Sequence, residues 1–78
     1  MATLLVKAVW DEEAAVWVAT SDDVPGLVTE ADSFDRLMQK LKVLIPEMLD
    51  ENGYADGVGA HLFKVVAECQ AMTDRIAA

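Results

Sequence analysis

The hydrophobic period of this chain changes once, at Asp32-Ser33, and that single change constrains the fold more than any other feature. Before it, apolar residues recur every second position. Leu4, Val6, Ala8 and Trp10 fall on one side of an extended chain, and Leu5, Lys7 and Val9 on the other, so Thr3 to Trp10 is predicted as a strand. Asp11 to Ala14 is a polar break suited to a hairpin, and Ala15 to Thr20 returns with the β-branched and aromatic run Val16-Trp17-Val18. Pro25-Gly26 is a turn signal, because proline fixes φ at the first central position and glycine tolerates positive φ at the second. Leu27 to Glu30 is then a short third strand, and the short connections favour an antiparallel meander.

After Asp32-Ser33 the spacing becomes three and four. Phe34, Leu37, Met38, Leu41, Leu44, Ile45, Met48 and Leu49 form one stripe, with Arg36, Gln39, Lys40 and Lys42 mostly off it. Asp32 or Ser33 can cap the helix start, and Asp35 puts negative charge in its first turn. Pro46 has no amide hydrogen for the carbonyl of Lys42, so a kink or broken turn is expected near Val43 to Ile45, with Asn52-Gly53 as the stop. Leu62 to Cys69 is a fourth strand. Phe63, Val65, Ala67 and Cys69 should face the helix, and Leu62, Lys64, Val66 and Glu68 should face solvent or a partner. The expected fold is α+β, in the order β-β-β-α-β: an antiparallel sheet with one amphipathic helix on one face. The domain spans residues 1–70, and 71–78 form a short tail.

A chain of 78 residues has a thin core, yet 54% of its residues are apolar, so part of that surface is expected to face another subunit in a homodimer or tetramer. The oligomer interface expected from the fourth strand is Leu62, Lys64, Val66 and Glu68, which would pair with its copy across a two-fold axis. The net charge of −8 is uneven: residues 1–35 hold eight acids and one base, and the remainder six acids and five bases. Asp11, Glu12, Glu13, Asp22, Asp23 and Glu30 are therefore the expected contacts for a basic partner. Acids also keep a small apolar domain soluble, and charge alone does not separate the two readings.

Other chemistry finds little support. His61 and Cys69 are eight positions apart on one strand, about 26 Å at about 3.3 Å per residue, too far to act as a pair. Cys69 is expected as a small buried hydrophobe and His61 as an ordinary strand-edge residue. Ser21 lacks a nucleophile-elbow context, so no catalytic residue and no enzyme activity are expected. The acidic loops do not match the spacing of a calcium-binding hand, and there is no Cys/His set for zinc, so no metal or other cofactor is expected. With no basic run, direct nucleic-acid binding is not expected; Trp10 and Trp17 are placed in core packing or a subunit contact. The single cysteine, Cys69, cannot form an internal disulfide, so nothing in the sequence suggests an oxidising compartment. Lys7 and Asp11-Glu12-Glu13 interrupt any N-terminal signal, and no apolar run approaches the roughly 18 residues of a membrane span. A soluble cytoplasmic protein is expected.

Three stretches carry a family resemblance. They are Val9-Trp10-Asp11-Glu12-Glu13 leading into Val16-Trp17-Val18-Ala19, then residues 23–33 around Pro25-Gly26, then the helix through Ile45-Pro46-Glu47-Met48-Leu49. Together they resemble the N-terminal domain of the HicB-like antitoxin family, in a short branch of it. The resemblance implies a partial ribonuclease H-like fold without an active site, and a non-enzymatic module that neutralises a small basic RNA-cleaving toxin by direct binding. It also implies assembly as dimers or larger oligomers, often through the last strand. Ala31 stands where toxin-linked members usually carry glycine, and Leu27 where many carry cysteine. Ala71 to Ala78 are too few for the DNA-binding domain that often follows, so operator binding is not expected. The alternative expectation is a self-associating structural or regulatory protein with no toxin.

Overall fold

The computed structural model describes residues 3–51 and 61–74. It contains β1 (Leu4–Asp11), β2 (Val16–Thr20), β3 (Val28–Ala31), α1 (Phe34–Glu51) and β4 (Phe63–Glu68), in the predicted β-β-β-α-β order. The strands form one sheet in the order β3-β2-β1-β4. The first three strands are the antiparallel meander, with Trp10 opposite Trp17 and Val18 opposite Glu30. The last strand departs from the wholly antiparallel expectation: β4 runs parallel to β1, with Leu4 beside Phe63 and Val9 beside Glu68. A helix long enough to recross the sheet lies between β3 and β4, and such a crossover is what a parallel pair requires.

Local chemistry sets each element's limits. The side chain of Asp11 accepts from the amide of Ala14 at 3.1 Å, and Ala15 takes a left-handed φ of 57°, so the hairpin turns one residue later than predicted. Val24 to Leu27 form the Pro-Gly turn: the Leu27 amide donates to the Val24 carbonyl at 3.1 Å, and Gly26 has φ 83°. Ser33, rather than Asp32, caps the helix; its Oγ accepts from the amide of Arg36 at 3.2 Å. Asp32 instead pairs with the Arg36 guanidinium at 3.1 Å.

The helix runs without interruption through Pro46 to Glu51, against the expected break. Lys42, Val43 and Pro46 lie on its exposed side, where water can satisfy the carbonyl that proline leaves unpaired. The expected Asn52-Gly53 stop lies outside the described residues.

Leu37, Leu41, Ile45 and Leu49 bury one stripe of α1 against Val6, Ala8, Ala19, Val24, Leu27 and Ala31. Each fully buried leucine contributes about 1.5–3 kcal/mol relative to exposure. The small Ala8, Ala19 and Ala31 let the helix approach the sheet. The helix packs against β3 and β2, while β4 packs against β1. That position explains two departures on β4. Phe63 and Val65 reach the core as predicted, but Ala67 lies beyond the helix and is exposed. Cys69, expected to be buried, is exposed as well.

Candidate functional site

Alternation along the strands gives the sheet two unlike faces. The inner face holds Val6, Ala8, Ala19 and Ala31 beneath α1. Trp10, Trp17 and Phe34 close its hairpin end as two edge-to-face contacts, with ring centroids 5.4 and 5.6 Å apart. The two tryptophans are half-buried, and Trp17 packs against the core.

No described element covers the outer face. Pairing registers place its residues in rows across the sheet. Glu30, Val18, Val9 and Glu68 form one row; Val28, Thr20, Lys7 and Val66 form the next; Leu5 and Lys64 form a third. Beyond the first row Asp11 pairs with Val16. Half of these positions are apolar, whereas the solvated side of such a sheet is ordinarily polar. Leu5 is 51% exposed, Val9 42% and Val66 42%. Lys7 stands among them, but its ammonium leans towards Glu68 at 3.9 Å, which leaves its aliphatic stem on the apolar surface.

The acids predicted as partner contacts frame this face without forming one patch. Asp11, Glu12 and Glu13 are exposed at the hairpin end. Asp22 and Asp23 are at the opposite end, where they line an open cavity with Leu5, Lys7, Thr20 and Ser21. Leu5 and Asp11 are six positions apart along β1, about 20 Å. Glu30 belongs to neither cluster; it sits on the β3 edge of the face.

Two of these acids also have backbone duties that composition does not reveal. Below Lys7, β1 outruns its pairing with β2. Side chains continue the ladder there: Ser21 Oγ donates to the Leu5 carbonyl at 2.6 Å, and Asp23 accepts from the Leu5 amide at 2.7 Å. Ser21 Oγ also accepts from the amides of Asp23 and Val24, which fixes the loop that carries the acids. Asp11 does the same work in the hairpin. Glu12, Glu13 and Asp22 make no such bond among the described contacts.

The predicted interface residues lie on or beside β4. Lys64, Val66 and Glu68 share the outer face, and Leu62, just before the strand, is exposed and accepts from the Leu4 amide through its carbonyl. Among the described residues no strand pairs with the far edge of β4. The other sheet edge differs, because Lys40 reaches from α1 to the Glu30 carbonyl at 2.6 Å.

Sequence reasoning missed Leu5, Val9, Val16, Val18 and Val28 as a surface. The available signal was the second side of β1, where Lys7 is the one polar residue between Leu5 and Val9.

The family model described as a domain of unknown function (DUF1902) matches residues 3–75. The chain belongs to this family. A crystal structure of a hypothetical protein from the extremely thermophilic bacterium Thermus thermophilus is 46% identical, with a TM-score of 0.70, and the match covers 95% of this chain and 100% of that one. No curated protein matches the chain. Among the described residues, no helix is long and apolar enough to cross a membrane.

Proposed function

We propose that this DUF1902 domain is a non-enzymatic protein-binding module, HicB-like in kind, whose outer sheet face holds a small basic protein in the cytoplasm. The observation that carries the reading is the uncovered, half-apolar face with acidic clusters at both ends. Stable interfaces combine a desolvated apolar centre with a polar rim, and this face has that arrangement. The acids speed encounter with a basic surface, and Leu5, Val9, Val18 and Val66 supply the area to be buried. The resemblance to HicB-like antitoxins gives the partner's class: an RNA-cleaving toxin, neutralised by being covered.

Co-expression with the adjacent reading frame tests this. A small basic product should co-purify, associate more slowly as salt rises, and be lost when Leu5 and Val9 are both replaced by Asp. A basic product that binds the double variant as well as it binds the natural chain would place the site elsewhere. Failure of any basic neighbour to bind would sink the reading.

Self-association through β4 is a second reading, favoured by the order of residues on its free edge. Antiparallel pairing of two copies about Val66 would set each Lys64 against the other copy's Glu68. That arrangement balances charge in a chain whose net charge is −8. Light scattering should then give a dimer that Lys64→Glu weakens and the exchange K64E/E68K restores. A stable monomer at micromolar concentration would remove this reading and leave the first intact.

A further inference from the structure

We infer that the occupant of the outer face is a single amphipathic α-helix, lying along the strands, with basic residues in both its first and its last turn. The inference rests on the outer-face reading above and narrows the partner's chemistry. Apart from Val28 on the β3 edge, the apolar residues form a stripe, with the aliphatic stem of Lys7 bridging Leu5 and Val9. Leu5, Val66, Val9, Val18 and Val16 follow one another from the Asp22-Asp23 end to the hairpin end, mostly along β1 and β2. Thr20 and Glu30 border the stripe on one side, and Lys64 and Glu68 on the other.

The stripe spans three neighbouring strands, β4, β1 and β2, about 10 Å between the outer two, and is about 20 Å long. Those dimensions are the diameter of a helix and the length of about 13 helical residues. A second sheet would press the Glu30 and Lys64 side chains beneath it and leave those charges buried without a partner from this chain, which is costly. A second copy of this chain would bring acids to both acidic ends. A helix with lysine or arginine at both ends meets Asp22 and Asp23 at one end of the stripe and Asp11, Glu12 and Glu13 at the other. Its apolar positions then cover the valines between.

The test uses the full-length chain and a fluorescent synthetic peptide of about 14 residues, the length set by the stripe. The peptide has leucines spaced three and four apart and lysines in its first and last turns. A scrambled peptide of the same composition is the control. The designed peptide should bind at least about tenfold more tightly than the scrambled one, and Val9→Asp should remove that advantage. Backbone amide shifts on titration should centre on Leu5, Val9 and Val18. Circular dichroism of the free Val9→Asp variant keeps the result interpretable, because Val9 is outside the core. Equal binding of both peptides, or shifts confined to the β4 edge, would overturn the helix. If neither peptide binds while a basic neighbour is lost on replacing Leu5 and Val9, the helix is wrong and the face is right. If the neighbour also fails, both are wrong.

Discussion

The two faces of the sheet are built from alternate residues of the same strands, yet they hold their apolar side chains for different ends. On β1, Val6 and Ala8 are fully buried under α1, while Leu5 and Val9, one residue away from each, remain about half exposed. The inner face uses small residues where the helix crosses and large ones on the helix itself, so its packing is closed within the chain. The outer face carries branched side chains with nothing from the described chain above them. A half-buried sheet needs apolar residues on one face only. The second set adds nothing to the core, and that excess is what the proposed binding role of the outer face accounts for.

Three substitutions probe this difference, in order of expected effect. Leu41→Ala removes a fully buried side chain from the helix stripe that packs on the inner face and should cost about 2–5 kcal/mol, read as a lower urea midpoint. Gly26→Ala acts through the backbone. Its φ of 83° disfavours a side chain, and a Cβ there would lie 3.0 Å from the end of Met48. The flexible methionine can yield, so the loss should be that of the left-handed residue, about 1–2 kcal/mol by the same measurement. Val9→Asp should cost least, about 1 kcal/mol by the same measurement, from lost strand propensity and the neighbouring Glu68, while abolishing partner binding. A large loss of stability at Val9 would erase the distinction between the faces.

The sequence was most legible where one residue's own chemistry decides the outcome. Pro25-Gly26 forms its turn and Ser33 its cap because each acts on backbone atoms within a few positions. The alternation in β1 sorted its residues correctly because one side had to be buried. The errors lie where distant parts decide. The direction of β4 follows from the length of the crossover, not from Phe63 to Glu68 themselves. Cys69 is exposed because α1 settles over β2 and β3, and no property of Cys69 announces that. Pro46 leaves the helix intact because its face points outward. The acids were found as a set, but their division between two ends depends on which way β1 and β2 run. The roles of Asp11 and Asp23 in holding backbone amides are invisible in a charge count.

The parallel pairing of β4 with β1 has a consequence in time. Leu4 sits beside Phe63, so the first of the four strands to leave the ribosome is completed by the last. The hairpin of β1 and β2 can close over a few residues, but one edge of β1 stays open until the whole helix and the crossover have been made. Closing so long a loop is slow compared with local pairing. During that interval the exposed edge belongs to a strand that is apolar on both sides, the kind of surface on which nascent chains meet one another. Synthesis halted before residue 63 would leave β1 in that state permanently. Truncated products of this gene should therefore collect in the insoluble fraction, and full-length chains should not.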